Sequence, residues 1–78
     1  MLKIINITSE NDIINMEVLI EGDITNNYKL CVDSKDDVFP VVDSEIPDKY
    51  KIYERQARIA LRRYPDKTFP DEIVSLWY

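Results

Sequence analysis

Tyr50-Lys-Ile-Tyr-Glu-Arg-Gln-Ala-Arg-Ile-Ala-Leu-Arg-Arg-Tyr64 is the one stretch of this chain with sustained helical periodicity. At roughly 100° per residue, Tyr50, Tyr53, Ala57, Ala60, Leu61 and Tyr64 fall on one side, the spacing of a stripe that faces a core. Lys51, Arg55, Arg58 and Arg62 form a second, basic stripe, and the residues between are strong helix formers. Glu54 stands four positions before Arg58, the better orientation for an i,i+4 ion pair, and that pair is expected. Ile52 and Ile59 lie one heptad apart and belong to neither stripe. They need separate cover. The C-terminal tail is the favoured source, since small domains fold back their own apolar ends; a second copy of the chain is the alternative.

The neighbours of this segment give its limits. Pro65 stops the helix and Asp66-Lys67 turns the chain. On the other side, Ser44 or a nearby residue is the expected cap. Pro47 suits the first turn and Asp48 the positive end of the dipole. The helix is therefore predicted over residues 47–64. Beyond it, Phe69-Pro-Asp-Glu72 repeats the proline-then-acid signature and predicts a short helix over 70–78, with Phe69 and Trp77 closing one end of the core. So short a helix must dock on something to persist.

The N-terminal part has the period of strands. Ile14, Met16, Val18 and Ile20 alternate with Asn15, Glu17, Leu19 and Glu21, a strand with one buried face. Tyr28, Leu30 and Val32 alternate likewise, and the polar link Gly22-Asp-Ile-Thr-Asn-Asn27 predicts a hairpin between the two. Residues 2–8, with Ile4, Ile5 and Ile7, read as a first strand whose imperfect alternation suggests cover on both faces. Thr8-Ser-Glu-Asn-Asp12 reads as a turn. Val38–Val42 is a candidate fourth strand, confined to a sheet edge because Pro40 has no N–H. The fold class is α+β: an antiparallel β-meander of three or four strands over residues 1–43, packed by one long helix and a short terminal one.

Seventy-eight residues make a single domain with a modest core. At 45% apolar and 32% charged residues the chain is globular rather than disordered. No apolar run is long enough to span a membrane, and no membrane partner is expected. The first residues lack the apolar core of a signal peptide, and one cysteine, Cys31, forms no internal disulfide; both point to the cytoplasm. A composition rich in Ile, Asn, Lys, Tyr and Asp but poor in Ala and Gly is what an AT-rich bacterial or phage genome produces.

Absences exclude several chemistries. Without histidine there is no Ser–His or Cys–His nucleophile pair, and one cysteine cannot build a structural zinc site. One glycine excludes the glycine-rich phosphate loops. No catalytic residue, cofactor or metal is therefore assigned, and the chain is read as non-enzymatic. Asp33, Asp36, Asp37, Asp43 and Glu45 cluster in sequence, but the glycine of a calcium loop is missing and Lys35 occupies a ligand position, so a solvated turn is the better reading. Cys31 reads as a passive thiol.

The net charge of −5 hides a polarity. Residues 1–47 hold three lysines and ten acids, a balance of −7, whereas residues 48–67 hold seven bases and three acids, +4. Acidic strands and a basic helix can simply attract one another across one fold. Two surfaces of opposite sign facing different partners is the functional alternative. The basic candidate is Lys51, Arg55, Arg58 and Arg62. The acidic candidate is Glu17, Glu21 and Asp23, with Glu10, Asp12 and Asp33 nearby, and it suits small phage or mobile-element inhibitors that occupy a basic groove. The expectation is a small protein–protein interaction module, a regulator or inhibitor acting through charged surfaces. Ile52, Ile59 and Trp77 are candidate interface residues, and a homodimer is one possible assembly. A nucleic-acid-binding module using the arginine stripe is the alternative, opposed by the acidic balance of the whole chain.

Overall fold

Asn11 and Asp12 both take positive φ, 52° and 65°. That is the requirement of a two-residue hairpin whose twist matches its strands. It joins β1 (Leu2–Glu10) to β2 (Ile13–Ile20), with Glu10 paired to Ile13. The turn is thus narrower than the polar stretch 8–12 suggested, because the first strand continues through Glu10. The structure is a computed structural model that describes residues 1–21 and 23–76.

β2 pairs antiparallel with β3 (Asp23–Asp33), and β3 with β4 (Val41–Ser44). A 3₁₀ turn at Asp48–Tyr50 leads into α1 (Lys51–Leu61), and β5 (Glu72–Ser75) returns to pair antiparallel with β1. The sheet has five strands in the order β4-β3-β2-β1-β5. The chain between β4 and β5 therefore crosses from one edge of the sheet to the other, and α1 lies in that crossing. The class is α+β.

The terminal helix expected over 70–78 is not formed: residues 72–75 are a strand. Ile73 and Ser75 are buried while Glu72 and Val74 are exposed, a period of two. The free N–H and C=O groups along β1 supply the partner that a one-turn helix would lack. Trp77 lies outside the described residues. Phe69 does close an end of the core, with Phe39 and Tyr64 edge-on to its ring at 6.5 and 5.9 Å between centroids.

Irregularities explain the other departures. β1 carries a bulge between Ile5 and Thr8, where Asn6 takes φ 53°. The extra residue turns Ile7 back toward the core, so the broken alternation reflects a bulge rather than cover on both faces. The stretch 23–27 is assigned to β3, not to a loop. The register shifts there between Val18 and Ile20, and Asp23 accepts hydrogen bonds from Thr25, Asn26 and Tyr28. β4 starts at Val41 rather than Val38, because Phe39 takes φ 50° and Pro40 cannot donate.

One sheet face carries the core. Leu2 and Ile4 of β1, Ile14, Met16, Val18 and Ile20 of β2, Leu30 and Val32 of β3 and Ile73 of β5 are all buried. The helix face expected to cover them does so: Ala57, Ala60 and Leu61 are fully buried, and Tyr50, Tyr53 and Tyr64 pack at its margins. Two alanines let the helix backbone approach the sheet closely. α1 is shorter than 47–64. Past Leu61, the amides of Arg62, Arg63 and Tyr64 bond three residues back, at 3.1 to 3.2 Å, and Pro65 prevents a further turn. Ser44 is not a cap. It lies in β4, donates to Glu54 Oε2 at 2.7 Å and accepts from the Ile46 amide at 3.1 Å, and neither helix start has a side-chain cap.

Candidate functional site

The outer side of α1 is where exposed charge and exposed apolar surface meet. Lys51, Arg55 and Arg62 are exposed and Arg58 is half-buried. Ile52 and Ile59 remain 57% and 39% exposed, so the described part of the C-terminal segment does not give the cover expected of it; residues 72–75 pair at the sheet edge. Val38, 48% exposed, sits against the same side. Together Val38, Lys51, Glu54, Arg55, Arg58, Ile59 and Arg62 line a shallow open groove of about 450 Å³.

The four basic residues of the stripe do different work. Arg58 does not pair with Glu54. Its Nε donates to the Phe39 carbonyl at 2.8 Å and its Nη2 to the Val38 carbonyl at 3.1 Å. Those carbonyls belong to a turn with a bulky residue at positive φ, and the guanidinium supplies their donor, while the mostly buried Glu54 carboxylate is taken by other partners. Glu54 instead accepts from Lys51 Nζ at 2.9 Å and from Ser44 Oγ. Arg55 and Arg62 have no hydrogen-bond or ion-pair partner among the described residues. Arg58 is held by neutral acceptors, so its charge also stays uncompensated. The groove floor is thus a fixed guanidinium flanked by two free ones, with Ile59 and Val38 beside them.

Two further basic residues after the helix, Arg63 and Lys67, hold the fold together. Arg63 Nη2 reaches the buried Ser75 hydroxyl at 3.4 Å, and Lys67 donates to the Ser34 carbonyl. Ser34, buried, in turn donates through both its amide and hydroxyl to the Asp12 carbonyl, at 2.7 and 2.9 Å. This chain of bonds ties the β1–β2 turn, the 33–37 turn and the segment after α1 into one end of the molecule.

The acidic candidates are not brought to one point. Glu17 lies on the sheet face away from α1, opposite Lys29, and accepts from the Asn6 side chain. Glu21 meets the Met1 ammonium at 2.7 Å. Asp23 accepts from Tyr28 and Asn26, and these bonds, the tyrosine's first, hold its carboxyl below the usual range. The same bond pushes the Tyr28 phenol up to about 12. Asp33 and Asp36 accept from the amides of Lys35 and Val38, as turn carboxylates do. Burial, with Asp43 adding to it, raises the Cys31 thiol, which disfavours the reactive thiolate.

Sequence reasoning found the basic stripe and the two isoleucines, but not Val38. Its place depends on a turn between Asp36 and Pro40 that is fixed by the Phe39 amide on the Asp36 carbonyl, the Val38 amide on the Asp36 carboxylate and the long-range Arg58 contacts. Among the described residues no helix is long and apolar enough to cross a membrane. No protein-family model matches the chain, and no curated protein or solved structure is similar enough to it to count as a match.

Proposed function

We propose that this chain is a non-enzymatic interaction module, a regulator or inhibitor that works by contact, and that its contact surface is the outer side of α1 acting on an acidic protein partner. The observation that carries this reading is the pair Arg55 and Arg62. Neither has a partner among the described residues, and they run beside isoleucines that stay 57% and 39% exposed. A solvated helix face ordinarily mixes both signs and keeps its apolar residues inside. Glu17, Glu21 and Asp23 support an acidic contact surface less well, because each already has a partner.

The apolar component favours protein over nucleic acid. Guanidinium groups alone would serve phosphates, but isoleucines beside them gain nothing from a sugar–phosphate backbone. The test is titration of the protein with a polyglutamate peptide and, separately, with a single-stranded oligonucleotide of equal charge. Polyglutamate should bind at low salt, weaken as salt rises and fail to bind Arg55→Glu/Arg62→Glu. Tighter retention of the oligonucleotide at equal salt overturns the acidic-protein reading.

A further inference from the structure

We infer that the element received by the outer side of α1 is an amphipathic helix of the partner, laid along Ile52 and Ile59 with acidic residues on its flanks. The inference rests on the proposed contact surface and specifies what fills it. Ile52 and Ile59 are one heptad apart and both exposed, so they lie two turns apart on one line of the helix surface. Arg55 and Arg62 repeat at the same spacing and run beside that line. An apolar line with parallel charges is how one helix receives another: the isoleucines sit between the apolar residues of the incoming helix, and the arginines meet carboxylates on its flank. α1 has eleven residues, which at 1.5 Å each gives about 16 Å of contact, or three turns of a partner.

Charge decides the occupant. A second copy docked two-fold on this surface would set Arg55, Arg58 and Arg62 against Arg55, Arg58 and Arg62. Like charges so placed oppose association. An acidic helix is complementary to all three, and Arg58 presents its charge without needing to be ordered, since two carbonyls already hold it. So short a contact belongs to the small, transient class of interfaces.

The experiment is selection from a displayed library of helical peptides randomised on one face, with the intact chain as bait. The expected winners carry Leu, Ile or Met at three- and four-residue spacing with Asp or Glu on the flanks. Their binding should fall at least tenfold with Ile52→Ser/Ile59→Ser and be lost with Arg55→Glu/Arg62→Glu. Both double variants alter exposed side chains, and circular dichroism verifies that they fold. Acidic winners without apolar spacing, or winners indifferent to the isoleucine variant, overturn the helix while leaving the acidic-partner reading standing. Winners that are not acidic, or that bind the arginine variant as well as wild type, overturn both. Concentration-dependent dimerisation that the isoleucine variant abolishes would show a second copy on this surface and overturn the inference by another route.

Discussion

The two sides of α1 and its C-terminal cap, Arg62, answer to different demands. The inner side is small and close: Ala57, Ala60 and Leu61 show no exposure. The outer side is long and open, with Arg55 and Arg62 unpaired among the described residues and Ile52 more than half exposed. The inner side is dictated by the sheet it covers. Arg58 and the Lys51–Glu54–Ser44 contacts tie the outer side to the rest of the fold, whereas Arg55, Arg62 and Ile52 make no such tie among the described residues. Residues kept where the fold does not need them are the ones to examine for function.

The comparison breaks first if the inner side proves tolerant. Leu61→Ala removes a fully buried side chain from a small core and should cost about 2–5 kcal/mol in urea unfolding. Ala60→Leu attacks the close approach from the other direction, by overpacking, and should cost about 1–3 kcal/mol. A loss below about 0.5 kcal/mol from both, the level of surface substitutions, would mean that α1 is not seated as described.

Arg58 is the exception on the outer side, and it sharpens the contrast. Arg58→Met keeps the stem but leaves the Phe39 and Val38 carbonyls without their donor, and should cost about 1–3 kcal/mol. Arg55→Met, on the same stripe, should stay within about 0.5 kcal/mol. Equal effects at the two positions would erase the distinction between a strap and a free cation.

What could be read from residues alone follows the same division. The buried faces of β2 and β3 and the tyrosine–alanine face of α1 were legible because each repeats one period for several residues. β5 was not legible, since Pro70, Asp71 and Glu72 imitate a helix start and the strand itself is only four residues long. The bulge at Asn6 leaves no mark in composition; one inserted residue is enough to displace the alternation. The ion pair expected of Glu54 and Arg58 is locally sound, but two carbonyls about twenty residues earlier in the chain claim the guanidinium. The candidate surface was visible as stripes. Which of its arginines are free depends on long-range partners that spacing alone does not reveal.

A smaller effect is expected from the exposed isoleucines. Ile52→Ser should leave stability within about 0.5 kcal/mol, and Ile59→Ser should cost up to about 1 kcal/mol, because Ile and Ser have similar helix propensity and the two side chains stay 57% and 39% exposed. A loss above about 1.5 kcal/mol from either, in the same urea titration, would mean that it is covered in the folded chain, and the outer side would then have a structural duty after all.

The smallest effect at neutral pH lies at the boundary between covered and open surface, where Tyr28 packs against the core and its hydroxyl bonds to Asp23. Tyr28 ionises near 12 in the folded chain against an ordinary value of 10.0. A group whose pKa is raised by folding contributes stability that is complete below its unfolded value, so this contribution is intact up to about pH 10 and disappears as pH climbs toward 12. Asp23 is held low, so its contribution is present above the ordinary carboxylate value and fades as pH falls below it. An ultraviolet titration should therefore show a late ionisation from Tyr28. Tyr28→Phe should remove that step, and Asp23→Asn should return it toward 10, since the largest cause of the shift is the bond to Asp23. If the wild type shows no late step that Tyr28→Phe removes, the Asp23–Tyr28 bond does not hold in solution, and the open region reaches further along β3.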